Sequence, residues 1–241
     1  MHCFEVDGVL IDSGAETLLR EFNPFFETVD VDKVLITHAH EDHTGGTRYV
    51  QEKYGVPVFI NEQSVEKVAN KAKYPLYRQI FWGRRQPFEA QPIGKTFRSR
   101  NANWDVIETP GHTKDHLSFL NRETGQLFTG DLFVSPKIKV VLREESMPSI
   151  IHSLERVLDY DFDEVFCCHA GYVENGRQAL TEKWENLKEL EERILSLHKQ
   201  GYSKKEIHSE IYDKTYPITF FSMREWDTKH VVNSFVDEQT K

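Results

Sequence analysis

The chain has 241 residues, 39% hydrophobic and 29% charged, with a formal net charge of −9 and three cysteines. That supports one full domain with a sizeable core, with room for a small appendage. The acidic balance argues against adhesion of the whole surface to nucleic acid, no apolar run reaches the roughly 18–20 residues that span a bilayer, and cysteines this few, two of them the adjacent Cys167 and Cys168, exclude a disulfide scaffold and point to a reducing, cytoplasmic setting.

Cys3 to Val6 and Val9 to Asp12 read as strands around Asp7-Gly8, a hairpin signal. This opening is strand-like and acidic, unlike a signal peptide. Glu16 to Phe22 reads as helix. Val34 to Thr37 is the next strand, and it runs into Thr37-His38-Ala39-His40-Glu41-Asp42-His43-Thr44-Gly45-Gly46. Three imidazoles and a carboxylate within six residues, between a buried strand and a Gly pair, make a ligand-rich loop. Its nitrogen and oxygen donors suit Zn²⁺, and also Fe or Mn. A helix from Thr47 to Tyr54, a strand from Val56 to Ile60 and a helix from Asn61 to Lys71, capped by Asn61, follow. Strand and helix therefore alternate, which argues for an α/β layered architecture.

Residues 73–100 change character, with Pro75, Pro87 and Pro92 and no sustained period. They are basic and aromatic, and Tyr77, Arg78, Trp82, Arg84 and Arg85 are the candidate substrate-binding residues. Two readings are open. One is a surface insertion with solvated charges; the other is a lid over an anionic or aromatic small-molecule substrate.

Trp104 to Glu108 is a strand that turns at Thr109-Pro110-Gly111-His112-Thr113. Leu117 to Asn121 and Gln126 to Thr129 pair as a hairpin, the second ending at Gly130-Asp131. Ser146 to Leu158 is a helix with Pro148 in its first turn, and Val165 to Cys168 is a strand stopping at His169. Thr181 to Lys199 is an amphipathic helix. Ser203 with Glu206, and Ser222 with Glu225, are read as capping boxes of two further helices. The expected division is a catalytic domain over 1–178 and a helical extension over 179–241, either winged-helix-like or packed on the main domain.

Four segments share one grammar: an apolar strand ends in a metal-type ligand at His38, His112, Asp131 and His169. With His40, Asp42 and His43 they make seven candidates, where a mononuclear tetrahedral site needs three or four. Seven suggests two ions sharing a carboxylate.

Thr-His-Ala-His-Glu-Asp-His, Thr-Pro-Gly-His-Thr, Thr-Gly-Asp and Cys-His-Ala-Gly, in that order, resemble the motifs of the metallo-β-lactamase fold over roughly residues 2–175. The resemblance implies an αβ/βα sandwich with its metal site at one edge. By motif position His38, His40 and His112 hold a first metal, Asp42, His43 and His169 a second, and Asp131 bridges them. Two Zn²⁺ ions are the expected cofactors, with Fe or Mn as alternatives. A hydroxide between two such ions is a nucleophile at neutral pH, and Asp42 is the expected catalytic residue that orients it. Asp131 stands where the clinically important β-lactamases of the fold usually place a Cys, and Leu132, Phe133 and Val134 follow it where acyl-homoserine-lactone lactonases carry a Tyr. The expected activity is hydrolysis of a small ester, thioester or lactone. The alternatives are a phosphodiesterase or ribonuclease acting on nucleotides or single-stranded RNA, and a mononuclear-iron sulfur dioxygenase. Nucleic acid is the less favoured partner, and no membrane partner is expected.

Overall fold

Apolar side chains on both faces of most strands dictate two sheets packed against each other and covered outside by helices. The computed structural model describes residues 1–238. The first sheet takes β1 (Phe4–Val6), β2 (Val9–Ile11), β3 (Lys33–Leu35), β4 (Val58–Ile60) and β5 (Gln91–Pro92) in that order, antiparallel at β1–β2 and parallel beyond. The chain then forms β6 (Thr96–Arg98), β7 (Asn103–Glu108), β8 (Leu117–Asn121) and β9 (Gln126–Phe128), followed by a short β10 (Val141–Leu142), β11 (Glu164–Cys167) and β12 (Gly171–Val173). The second sheet runs β12-β11-β9-β8-β7-β6, with β11 and β9 parallel and the other pairs antiparallel. β10 stands outside it and pairs with β13 (Trp226–Asp227) from near the end of the chain.

The first half carries helices α1 (Leu19–Thr28), α2 (Glu41–Thr44), α3 (Thr47–Tyr54), α4 (Glu62–Ala69) and α5 (Leu76–Trp82). The second half carries α6 (Met147–Leu158), α7 (Gly176–Lys199), α8 (Lys204–Ile211), α9 (Pro217–Phe221) and α10 (Lys229–Glu238).

Side chains alternate across a strand, and the cores follow that alternation. Val9, Ile11 and Leu35 of the first sheet meet Trp104, Leu117, Phe119 and Phe128 of the second. Leu10, Val34 and Ile36 point the other way, against Phe26, Val50 and Val68 of α1, α3 and α4. On the far side Ile107, Leu120, Leu127 and Val165 pack with α6, α7, α8 and α10. The layers therefore run helix, sheet, sheet, helix, which is the αβ/βα sandwich expected. Asp7 and Gly8, at φ 55° and 80°, make the tight turn between β1 and β2 that the Asp-Gly pair signals.

Residues 73–100 depart from the reading as a lid. Only the part up to Arg85, with α5, stands at the mouth of a cleft; Phe88 is buried in the first helix–sheet core, and β5 and β6 are edge strands of the two sheets. Strands this short carry no period, and Pro92 lies in one of them, so the sequence hid them.

The expected boundary at 178/179 falls inside α7, and the C-terminal helices share one core with α6 and the second sheet. They pack on the main domain instead of forming a winged-helix-like unit of their own. The Ser203–Glu206 capping box is present, but Ser222 and Glu225 do not make one. Met223 and Arg224 take left-handed φ of 51° and 63°, Ser222 Oγ accepts from the Trp226 amide at 3.0 Å, and the Glu225 side chain turns to Arg78. Residues 239–241 of the expected extension lie outside the described residues. No helix among the described residues is long and apolar enough to cross a membrane.

Candidate metal centre

Each candidate ligand follows a strand, so the order of the strands decides which ligands meet. β3 leads into His38, His40 and α2, β7 into His112, β9 into Asp131 and β11 into His169. All four strand ends lie at one edge of the sandwich. All seven side chains come together there. His38, His40 and His112 offer nitrogens within 4.8 Å of one another, as do Asp42, His43 and His169 with their nitrogens and carboxylate oxygen. Asp131 lies between the two groups: one oxygen is 3.4 Å from His112 Nε2 and 3.2 Å from His169 Nε2, and the other is 3.3 Å from His43 Nε2. Asp42 Oδ2 sits 3.5 Å from His169 Nε2 and 3.8 Å from His43 Nε2.

The outer ring nitrogens settle the tautomers, because each faces an acceptor. Nδ1 of His43 donates to Asp12 Oδ2 at 2.7 Å. Thr37 Oγ1 donates to Asp12 Oδ2 at 2.8 Å, which leaves its lone pair for His38 Nδ1 at 3.1 Å. Nε2 of His40 lies 3.1 Å from Glu144 Oε1, and Nδ1 of His112 lies 3.4 Å from Glu145 Oε2. The remaining nitrogen of each ring therefore presents a lone pair inward, the arrangement that outer partners impose on metal-binding imidazoles. His40 Nδ1 stands 3.1 Å from His38 Nε2 and 3.0 Å from His112 Nε2. Three converging lone pairs repel unless a cation lies among them. His43 Nε2 and Asp131 Oδ1 are also buried without a hydrogen-bond partner. The residues present thus fit a metal pair, and the N/O donor set matches Zn²⁺, Fe or Mn.

Electrostatics divide the imidazoles by their neighbours. Burial, reinforced by the neighbouring imidazoles, holds His38 and His40 well below the usual histidine range, so both are neutral. Burial also opposes charge on His43, but the Asp131, Asp12 and Asp42 carboxylates outweigh it and raise its pKa well above the usual value. Burial pushes Asp131 up, yet His43 and His169 hold it well below the usual carboxylate range.

His116 is not a ligand. Its Nε2 accepts the Asp131 amide at 3.0 Å and its Nδ1 meets Thr109 Oγ1 at 2.8 Å. Burial lowers its pKa to about 3, so it is neutral, as an accepting Nε2 requires. Gly130, at φ 49°, permits that approach, since a Cβ there would lie 2.7 Å from His116 Nε2. Among the cysteines, Cys168 lies 3.0 Å from Asp12 Oδ2 and Cys167 donates to the Phe133 carbonyl.

The five candidate substrate residues separate. Arg78 is buried and forks onto Glu41, with Glu225 at 3.2 Å. It lines a cleft of about 890 Å³ that reaches His40, but its charge is already matched. Burial and the neighbouring Glu225 push the half-buried Tyr77 hydroxyl above its usual pKa. Arg85 lines the same cleft, but its guanidinium donates to the carbonyls of Val68 and Asn70 at 2.8 and 2.9 Å and so closes the end of α4. Arg84 is exposed outside that cleft and donates to Gln79, and Trp82 does not line the cleft. Charge in a basic segment is visible in a sequence; whether a carbonyl or a carboxylate already claims it is not. Of the cations that line the cleft, Lys67, Lys71, Lys73 and Arg143 have no carboxylate partner among the described residues, and Arg85 is held by backbone carbonyls alone.

Asp12, Asp115, Glu144 and Glu145 escaped the sequence reading. Asp12 follows the same strand-end grammar as the ligands, after Val9-Leu10-Ile11, and could have been found by it. Asp115 pins the ligand loop by accepting the Ala39 amide at 2.9 Å and Ser64 Oγ at 2.7 Å. Glu144 and Glu145 sit in a loop with no pattern at all.

The metallo-beta-lactamase superfamily model matches residues 6–169. Hydroxyacylglutathione hydrolase from Chelativorans sp. (strain BNC1) is 28% identical over 171 residues, covering 70% of this chain and 60% of that protein. Atrochrysone carboxyl ACP thioesterase from Passalora fulva is 26% identical over 151 residues, 61% of this chain and 39% of that protein. The chain thus spans about half the length of these relatives. The crystal structure of a metallo-beta-lactamase family protein from Thermus thermophilus superposes with a TM-score of 0.68 at 19% identity, covering 99% of this chain and 88% of the other, a likeness of fold. With the sandwich, the edge site and a family match over most of its length, the chain belongs to the metallo-beta-lactamase superfamily.

Proposed function

We propose that this chain is a metal-dependent hydrolase of a small anionic ester, thioester or lactone, with thioesters the leading class. The observation that carries the reading is the inward convergence of seven ligand side chains beside a cleft that exposes unpaired cations. The names of two relatives, a hydroxyacylglutathione hydrolase and an ACP thioesterase, support acyl transfer to water. His38, His40 and His112 would hold one Zn²⁺, Asp42, His43 and His169 the other, with Asp131 between them. When bound, such ions lower the pKa of a coordinated water and stabilise negative charge developing on the attacked centre.

The chain's own groups do the rest. Asp42, whose side chain is 11% exposed, accepts a hydrogen bond from the attacking water and fixes its direction. Asp12 keeps the His43 lone pair inward. Leu142, Tyr74 and Pro75 give the cleft an apolar wall, while Lys67, Lys71, Lys73 and Arg143 ring it with positive charge. A phosphodiester is the second reading, because the same cations suit a phosphate. It has lost part of its motivation: Arg78, Arg85 and Arg100 are committed to Glu41, to carbonyls of α4 and to Asp30 with Asp32. A mononuclear-iron dioxygenase leaves the Asp42, His43 and His169 group without a role.

A panel of chromogenic thioesters, esters, lactones and phosphodiesters, run on metal-reconstituted protein, tests the reading. Turnover is expected to be fastest on an anionic thioester. Lys71→Glu with Lys73→Glu is expected to raise KM for that substrate by about 10-fold, roughly 1.4 kcal/mol of uniform binding, with kcat little changed. Equal effects on anionic and neutral substrates, or preferential turnover of phosphodiesters, would count against it.

A further inference from the structure

The family match ends at residue 169, yet two strands of contact run from the last part of the chain into the metal centre. β13 pairs with β10, Val141 opposite Asp227 and Leu142 opposite Trp226, and the Arg143 amide donates to the Glu225 carbonyl at 2.9 Å. Beyond Arg143, the residues that follow β10 are Glu144 and Glu145, which face the outer nitrogens of His40 and His112. Glu145 is held at both ends, one oxygen accepting the Leu142 amide at 2.7 Å and the other 3.4 Å from His112 Nδ1, and its side chain is 10% exposed. On its second side the same segment sends the Glu225 carboxylate to Arg78, which holds Glu41 between the ligands His40 and Asp42.

We propose that the C-terminal segment Ser222–Asp227 is part of the metal centre: it fixes the Glu144–Glu145 turn and, through Arg78, Glu41, and so keeps His40 and His112 in the tautomers that turn their lone pairs inward. The segment then couples the helical extension to metal retention, and Glu145 and Glu225 are positioning residues. Glu145 carries the larger share, because Glu144 is 59% exposed and its charge is screened by solvent. The proposal rests on the reading of the seven side chains as ligands.

The test uses the full chain carrying Glu145→Gln, Glu225→Gln or both, with metal affinity measured by chelator competition, the visible spectrum of the Co²⁺-loaded protein, and thermal unfolding of the metal-free chain. Glu145→Gln is expected to weaken one of two bound ions by about 10–100-fold and to change the Co²⁺ spectrum, with metal-free unfolding unaltered. Glu225→Gln is expected to act in the same direction, and the double variant to lose less than the product of the two, since both act on one site. Wild-type affinity and spectrum in both single variants would overturn the proposal while leaving the ligand reading intact. A drop in metal-free stability that accounts for the whole affinity loss would also overturn it, assigning Glu145 to folding alone. Wild-type protein with no metal affinity would overturn the ligand reading and the proposal together.

Discussion

Alanine in place of Asp42 is expected to lower kcat/KM by about 10³-fold or more, while the metal-free chain unfolds at the wild-type temperature. Asp42 lies in the group with His43 and His169, and the role proposed for it is to orient the attacking water. Losing one positioned acid–base group costs about 10²–10⁴-fold, and a weakened second ion adds to that. Stability should not follow, because Asp42 accepts no backbone amide that would be left unsatisfied; the loop is held instead by Asp115 on the Ala39 amide and by Thr44 Oγ1 on the His40 carbonyl at 2.7 Å. Steady-state kinetics with thermal unfolding of the same samples checks both halves. Retained turnover would remove Asp42 from the mechanism, and lost folding would move it into the scaffold.

The largest effect on stability is expected from Arg78→Met. Arg78 lies between the Glu41 and Glu225 side chains, which are 4% and 24% exposed, and both lose their cation when it is removed. A buried charge left without its partner costs about 3–5 kcal/mol, which in a chain of this length lowers Tm by about 10 °C. Glu41 already feels burial, which raises its pKa against the opposing pull of Arg78. Arg78→Met combined with Glu41→Gln is therefore expected to recover a large part of the loss. Denaturant unfolding of the two variants checks this; a cost below about 1 kcal/mol for Arg78→Met would mean that water already solvates the pair.

Legibility tracked the length and chemistry of each element. α3 and β8 were readable to the residue because an amphipathic period fills the first, and Leu117, Phe119 and Leu120 ahead of a Glu-Thr-Gly turn mark the second. β5, β10 and β13, two residues each, were not, since their pairing is decided by distant strands and not by their own side chains. The convergence of the seven side chains was legible for a different reason. Histidine and aspartate at strand ends are conspicuous, and parallel neighbours such as β9 and β11 carry their ends to the same edge. The partners that orient those ligands were hidden. Glu144, Glu145 and Glu225 belong to turns whose meaning arises only when β13 meets β10. Ser222-Met223-Arg224-Glu225 satisfies the spacing of a capping box, yet left-handed backbone at Met223 and Arg224 and the pull of Arg78 on Glu225 take it elsewhere. Likewise Arg85, one of the most conspicuous charges of the basic segment, is spent on the carbonyls that end α4.

Seven side chains placed in this way are expected to hold two ions. Elemental analysis of the chain purified without chelator, with protein quantified on the same sample, tests it most directly. Two equivalents of metal per chain are expected, falling to one when Asp42 is replaced by alanine. A single equivalent in the wild-type chain, or none after reconstitution with Zn²⁺, Fe²⁺ and Mn²⁺ in turn, would contradict it.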